Sequence, residues 1–286
     1  MSAIRLITEP TIIVLGEMKL RTDGLNRLLD WVQDYRPECV PSDLPGDEHA
    51  RAMALFPHDG YRNEQPGAPT GPLTDNEMLV ELAGRNCYHS YSQKAGRKSN
   101  AEYIAHTQSG PIPHASIMYH AKMTFFLAGI SRRVSHELIR HYVGADRSEE
   151  GSPSQESTRY TFHPGHFAVA PRVLAGGMSS LSHFSASMQA AYDAYLKYIE
   201  DDVVGYTQLH GKPPAGLERK RIYEAAAGLL PMQACTSLVW TTNPLALAKL
   251  FRERCDESAD REFQRFAKKW RDIAIAAWPN LFQGAV

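Results

Sequence analysis

The stretch RHYVGADRSEEGSPSQESTRY, residues 140–160, carries more information about fold and function than any other part of this sequence. Basic side chains open and close it, at Arg140, His141 and Arg159, and serines recur between them. Guanidinium forks and hydroxyl groups are donors suited to a phosphate. Polar loops are also common on protein surfaces. The segment therefore indicates a local anion site, with an ordinary solvated loop as the alternative.

The composition argues against several classes of protein. The chain has 286 residues, of which 43% are hydrophobic, and this is enough for a substantial core. With 31 basic and 32 acidic residues, the charge balance predicts no nucleic-acid or membrane surface. Glu9 and Pro10 interrupt the apolar N-terminal stretch, and no apolar run approaches the roughly 20 residues of a membrane helix. We therefore expect a cytoplasmic protein.

The cysteines and histidines do not predict a metal site. The four cysteines are scattered and form no Cys-x-x-Cys pair, which is unlike a zinc ribbon or a disulfide framework. His136 and His141 are five residues apart and share no clean helical face. We expect reduced thiols and no bound metal.

The hydrophobic pattern predicts one α+β domain over residues 1–286. The β-branched run at 11–15 and the apolar run at 118–127 indicate strands, although a helix is also compatible with the second run. Residues 36–71 are rich in Pro, Gly, Asp and Glu, so they are predicted to form an irregular insertion. Helices are predicted at 74–83 after a capping box, and at 132–142, 181–199, 217–230, 244–254 and 259–278.

Four blocks of this sequence resemble blocks of the flavin-dependent thymidylate synthases, and they occur along the chain in the same order as in that family. The family signature reads Arg-His-Arg, seven residues, Ser, then Arg and Tyr, and here Arg140, His141 and SQESTRY at 154–160 match it. The other blocks are AGRNCYHS at 83–90, HASIMYHAKMTFFLAGISRRVSHELIRH at 114–141, and LLPMQACTSLVWTTNPLALAKLFRERCD at 229–256. Four blocks in the right order are far more specific than one motif.

The resemblance implies an α+β fold with an antiparallel sheet flanked by helices, the ThyX-like fold. It also implies a homotetramer whose sites lie at subunit interfaces. The implied reaction is C5 methylation of dUMP to dTMP, with 5,10-methylenetetrahydrofolate as the carbon donor and FAD reduced by NADPH as the hydride donor. In such enzymes the flavin performs the redox step, while the protein supplies position and charge.

The family motifs also imply two groups of site residues. The resemblance assigns flavin binding to Cys87, His114, Ser116, Arg140, His141, Tyr142, Asn243 and Lys249. It assigns nucleotide binding to Glu137, Gln155, Ser157, Thr158, Arg159 and Arg254, with Ser157 and Arg254 as the catalytic pair.

The chemistry of these side chains fits the implied roles. The fork of Arg159 suits a 5′-phosphate, and Arg254 suits a pyrimidine carbonyl on which negative charge develops. Each residue also has a structural alternative. Asn243 is a helix N-cap candidate, Arg254 can complement a helix dipole, and His114 can be a simple hydrogen-bonding residue.

Several positions depart from the family pattern. Tyr142 replaces an arginine, Lys249 an asparagine, Ala227 an arginine and Glu137 a glutamine, and the loop before Ser157 is expanded at about 145–151. These changes leave two alternatives open. The first is a divergent enzyme that methylates or hydroxymethylates another pyrimidine nucleotide, such as dCMP, because the carboxylate of Glu137 accepts a hydrogen bond but cannot donate one. The second is a nucleotide-binding homologue without catalysis.

Overall fold

The structure is a computed structural model that describes residues 3–41, 43–56, 72–91, 98–109, 113–143 and 151–282. The expanded loop predicted at 145–151 lies outside these ranges except for Gly151, and so does the side chain of Tyr142. Among the described residues, no helix combines the length and the apolar character needed to cross a membrane.

The elements of the chain form an α+β fold, as predicted. The strands are β1 (Arg5–Ile7), β2 (Thr11–Glu17), β3 (Met123–Ser131), β4 (Gly151–Gln155), β5 (His166–Ala168) and β6 (Cys235–Thr242). The helices are α1 (Thr22–Tyr35), α2 (Glu48–Met53), α3 (Asp75–Tyr88), α4 (Asn100–Gln108), α5 (Arg132–Val143), α6 (Pro171–Ala175), α7 (Gly177–His210), α8 (Leu217–Ala226), α9 (Pro244–Arg254) and α10 (Arg261–Ala277). Short 3-10 turns lie between these elements, at Pro37–Cys39, Ala115–Tyr119 and Ala227–Leu229, and after α10, at Pro279–Leu281.

The strands form two sheets. Four of them make a sheet with the order β2-β3-β6-β4, and β1 pairs with β5 in parallel, with Arg5 opposite His166. The second predicted strand begins later than expected, at Met123, because Ala115–Tyr119 forms a 3-10 turn.

The chain divides into two compact units. The first comprises Met1–Ile13, Phe125–Trp240 and Arg254–Lys268, and the second comprises Val14–Thr124, Thr241–Glu253 and Lys269–Val286. The single domain expected from the sequence stays a prediction.

In the first unit, helix α5 is fixed at its start by a buried carboxylate. Ser131 ends β3, and both its backbone N–H and its hydroxyl donate to Glu262, at 2.9 and 3.1 Å. Val134 and Leu138, four residues apart, are fully buried on one side of the helix. This anchoring determines where the polar side chains of α5 lie.

In the second unit, a hydrophobic cluster joins α1, α2 and α3. Leu29, Val32, Ala52, Leu55 and Phe56 are all buried in it. Within the region predicted to be an irregular insertion, 36–71, residues Glu48–Met53 form the short helix α2, and residues 57–71 lie outside the described ranges, so the insertion stays a prediction. The capping box before α3 is confirmed, since Thr74 and Glu77 bond reciprocally.

Candidate functional site

Helix α5 presents polar side chains on two sides. Arg132, Ser135, His136 and Ile139 recur at the spacing of one helical face, and we call this the cleft side. Arg133, Glu137 and His141 form the closed side, where each side chain contacts a protein group.

The cleft side borders an open cavity of about 380 Å³ in the first unit. A volume of roughly 300 to 1,000 Å³ is typical of small-molecule sites. The cavity is lined by Arg132, Ser135, His136, Ile139, Gln155, Thr158, Ala227, Leu230, Pro231, Met232 and Ala234. Two residues predicted to bind nucleotide, Gln155 and Thr158, therefore meet in one cleft.

Gln155 is held in a fixed orientation. Its Nε2 donates to the hydroxyl oxygens of Ser135 and Thr236, at 3.1 and 3.2 Å. Because Ser135 and Thr236 are both almost fully buried, this arrangement is shielded from water. The commitment of Nε2 leaves the amide oxygen of Gln155 as the atom suited to accept from a ligand.

Arg132 carries a hydrogen-bond donor that the described part of the chain does not satisfy. Its Nη2 donates to the backbone carbonyl of Glu156 at 2.9 Å, but its Nε is buried without a partner there. Burial lowers the pKa of the Arg132 guanidinium, and the nearby Glu156 opposes this shift. A buried donor of this kind is costly unless a ligand or water completes it.

The residues after Gln155 form a tight turn. The carbonyl of Ser157 accepts from the amides of Tyr160 and Thr161, and the Ser157 hydroxyl accepts from the amide of Arg159 at 3.3 Å. The guanidinium of Arg159 contacts Glu224 on α8, with Nε and Nη2 at 3.2 and 3.1 Å from the same carboxylate oxygen. The predicted anion group thus lies beside the cleft, but Arg159 already has a carboxylate partner.

The closed side brings together residues that were assigned to different ligands. Arg254 donates from Nε to His141 Nε2 at 2.8 Å and from Nη1 to Glu137 at 3.2 Å. Its guanidinium also lies over the ring of Phe263, with 4.9 Å to the centroid. In this contact His141 acts as the acceptor, through Nε2. Arg140, also on α5, is exposed.

Three of the predicted flavin residues lie in the second unit between α3 and the following 3-10 turn. Cys87 is exposed at the end of α3, and Ser116 is exposed in the turn. His114 Nε2 is 2.5 Å from the hydroxyl of Tyr88, and the two rings stack at 5.2 Å. The sequence analysis did not single out Tyr88, although this residue follows Cys87 directly in the block AGRNCYHS at 83–90.

Asn243 and Lys249 belong to the start and the outer face of α9 in the second unit. Asn243 is fully buried, and its Oδ1 accepts from the amide of Ala246 at 2.9 Å, which confirms the N-cap alternative. Its Nδ2 is buried without a partner among the described residues. A buried amide donor of this kind can serve a carbonyl of a flavin ring, so this part of the chain fits that cofactor. Lys249 is exposed.

Arg132, Ser135 and His136 were missed as cleft residues by the sequence analysis. The signal was present, because with Ile139 they occur at i, i+3, i+4 and i+7 along a predicted helix.

Comparison with known proteins identifies the family. The sequence profile described as "Thymidylate synthase complementing protein" matches residues 72–280. The flavin-dependent thymidylate synthase of Mycobacterium sp. (strain KMS) is 34% identical over 208 residues, which cover 71% of this chain and 78% of the relative. This chain belongs to the flavin-dependent thymidylate synthase family. The family resemblance predicted from the four blocks is confirmed, and the family name describes a flavin-dependent methyltransferase.

Other comparisons agree with this family assignment. The flavin-dependent thymidylate synthase of Mycolicibacterium gilvum is 33% identical over 205 residues, covering 71% of this chain and 77% of the relative. A solved structure of the UMP/dUMP methylase PolB from Streptomyces cacaoi, bound with 5-bromo-dUMP, aligns over 99% of both chains with a TM-score of 0.51 and 16% identity. That likeness supports the fold.

Proposed function

We propose that this protein methylates C5 of dUMP to give dTMP, with 5,10-methylenetetrahydrofolate as the carbon donor and NADPH-reduced FAD as the hydride donor. The observation that carries the proposal is the cleft of about 380 Å³ lined by Gln155, Thr158 and Arg132, whose Nε is buried without a partner among the described residues. A nucleoside monophosphate offers both an anion for the arginine and a polar base for the glutamine.

Arg132 and the turn at 157–161 bind the phosphate in this proposal. The Nε of Arg132 supplies a buried, charged donor, and the amide of Thr158, a residue that lines the cleft, adds a neutral donor. The hydroxyl of Ser157 and the guanidinium of Arg159 complete the set. Hydrogen bonds to a charged group contribute about 1.5 to 3 kcal/mol each, which is sufficient for anion binding without a metal ion.

Gln155 and Arg254 act on the base. The amide oxygen of Gln155 accepts from the N3–H of uracil, since its Nε2 is committed to two hydroxyls. Arg254 stabilises the negative charge that develops on the pyrimidine, and its contacts with Glu137 and His141 orient the guanidinium for this task. Because Glu137 accepts from Arg254, its carboxylate is less suited to read the amino group of a cytosine.

In this proposal, Asn243, His114, Ser116, Cys87 and Lys249 hold the flavin. The carrying observation is the buried Nδ2 of Asn243, which needs an acceptor. When bound, the flavin supplies the hydride that reduces the transferred one-carbon unit to a methyl group. Arg140 contributes positive charge and His141 contributes hydrogen bonds, and Tyr142 is included in this group by its position in the motif.

The proposal includes a homotetramer in the cytoplasm with active sites at subunit interfaces. Apolar side chains on the long helix α7 support an assembly. Met178 and Leu209 are 79% and 82% exposed, and Tyr198 and Val204 are also exposed. Apolar side chains exposed along one helix are available for a contact with another subunit.

The test is release of tritium from C5-labelled nucleotides. Purified protein with FAD, NADPH and methylenetetrahydrofolate is incubated in parallel with labelled dUMP, UMP and dCMP. We expect release from dUMP, none after omission of the folate, and flavin absorbance that bleaches on addition of NADPH. Release from dCMP alone would contradict the assignment of dUMP. Binding of nucleotide without any release, in flavin-loaded protein, would show a non-catalytic homologue.

A further inference from the structure

The mouth of the cleft contains an ion pair that the proposed reaction does not explain. Arg159 follows Thr158, which lines the cleft, and Glu224 lies one helical turn before Ala227, which also lines it. Nε and Nη2 of Arg159 both donate to Oε2 of Glu224. The carboxylate therefore occupies the edge of the guanidinium that would bind two oxygens of a phosphate.

The pair is exposed enough to exchange partners. The side chains of Arg159 and Glu224 are 52% and 49% exposed, so water screens their attraction and the contact is weak. A phosphate carries more charge than a carboxylate and three terminal oxygens, and it binds a guanidinium more strongly. The phosphate of a nucleotide that enters the cleft can thus replace the Glu224 carboxylate as the partner of Arg159.

Helix α8 keeps Glu224 beside the 157–161 turn after such an exchange, because its backbone position is fixed by the helix. Glu224 is on α8, and the preceding turn of this helix supplies Lys220, whose ammonium lies 4.7 Å from the ring centroid of Tyr160. Lys220 is thereby placed over the same 157–161 turn that carries Arg159. A second phosphate that extended out of the cleft at this point would meet both the Lys220 ammonium and the Glu224 carboxylate, and the like charge of the carboxylate offsets the attraction to Lys220.

We propose that Glu224 holds Arg159 until a nucleoside monophosphate replaces its carboxylate, and that it disfavours nucleotides with a second phosphate. This inference rests on the proposed nucleotide-binding function. It assigns to Glu224 a role in specificity rather than in catalysis. The occupant of the site is a pyrimidine nucleoside 5′-monophosphate, and the excluded ligand is the corresponding diphosphate.

Calorimetric titration of the full-length protein with dUMP, dUDP and deoxyuridine tests the inference. Glu224→Gln keeps the shape of the side chain and removes its charge. We expect this variant to bind dUMP about three- to fivefold more tightly, the size of effect that a weak exposed pair allows. The gain for dUDP should be larger than for dUMP, and binding of deoxyuridine should not change.

Two further variants separate this role from a general effect of charge. Glu218→Gln removes a carboxylate on the same helix that pairs with Arg221, and it should leave all three affinities unchanged. In an Arg159→Gln background, Glu224→Gln should give no gain for dUMP. If dUMP binds but Glu224→Gln binds it no more tightly than the unaltered protein does, the inference is overturned and the proposed function stands. If dUMP binds to no variant, both are overturned.

Discussion

On the closed side of α5, Arg133, Glu137 and His141 each contact another side chain of the protein, whereas on the cleft side Arg132 retains a buried Nε without a partner among the described residues. The two sides belong to one helix and differ only in what faces them. Satisfied polar groups stabilise a fold, and unsatisfied buried groups indicate a ligand. The comparison therefore separates a side of α5 whose polar groups are already paired within the protein from a side that keeps a donor for a ligand, and substitutions on each side should have different consequences.

The largest expected effect is on the free energy of unfolding, and it comes from Glu262, the carboxylate that anchors the closed side. Glu262 is only 3% exposed and accepts from the amide and hydroxyl of Ser131 and from Arg133 Nη2 at 3.1 Å. Glu262→Ala leaves these donors buried, so we expect the free energy of unfolding to fall by about 3 to 5 kcal/mol. Urea unfolding measures this change. The exposed Glu257→Ala variant is the control and should change stability by less than about 0.5 kcal/mol.

A loss of less than about 1 kcal/mol in Glu262→Ala would show that the closed side does not depend on this network. The interpretation that the closed side of α5 stabilises the fold would then be wrong.

The second-largest expected effect is on the binding of dUMP, and it comes from Arg132 on the cleft side. Arg132→Gln removes a charged donor from the cleft, and we expect the Kd for dUMP to rise roughly 10- to 100-fold. The free energy of unfolding should change by about 1 kcal/mol or less, because the half-buried guanidinium donates within the described part of the chain to one backbone carbonyl, that of Glu156. Titration calorimetry and urea unfolding of the same preparations give both numbers. Arg221→Gln, in an exposed pair with Glu218, is the matched control.

The opposite result for Arg132→Gln, a large loss of stability with unchanged affinity for dUMP, would show that both sides of α5 are structural. The cleft would then be a packing feature.

Local sequence patterns were sufficient to predict many of the helices. Helix α9 was predicted with its observed bounds, and α10 within two residues, because a regular apolar spacing and flanking Pro or Asp residues set their ends. The long helix α7 extends well beyond the predicted 181–199, since few of its apolar residues are buried and the pattern fades toward its ends.

The contacts of the candidate site could not be derived from such patterns. Arg159 and Glu224 are 65 positions apart, and Arg254 and Glu137 are 117 positions apart. Pairings of this kind depend on where α5, α8 and Arg254 lie in the folded chain, which local periodicity does not encode. The family motifs supplied the residue types, and the structure added which of them meet.

The smallest effect concerns pH and the start of α10, which supports the closed side. Burial alone would raise the pKa of Asp260, but hydrogen bonds from Arg133 and from the amides of Phe263 and Glu262 together lower it. A lowered carboxyl pKa stabilises the fold above the ordinary value near 3.8, and this stabilisation is lost as the pH falls through the folded-state pKa. Asp260→Asn keeps a good N-cap residue while removing the charge.

We therefore expect the stability difference between the unaltered protein and Asp260→Asn to be constant from about pH 7 to pH 5 and to shrink below about pH 4. Urea unfolding at each pH measures both proteins, with Glu257→Gln as an exposed carboxyl control. If the unfolding free energies of the two proteins stay parallel down to pH 3, Asp260 contributes to stability only as the N-cap of α10. In that case the charge of Arg133 would be balanced by Glu262 alone, and the closed side would depend on one carboxylate instead of two.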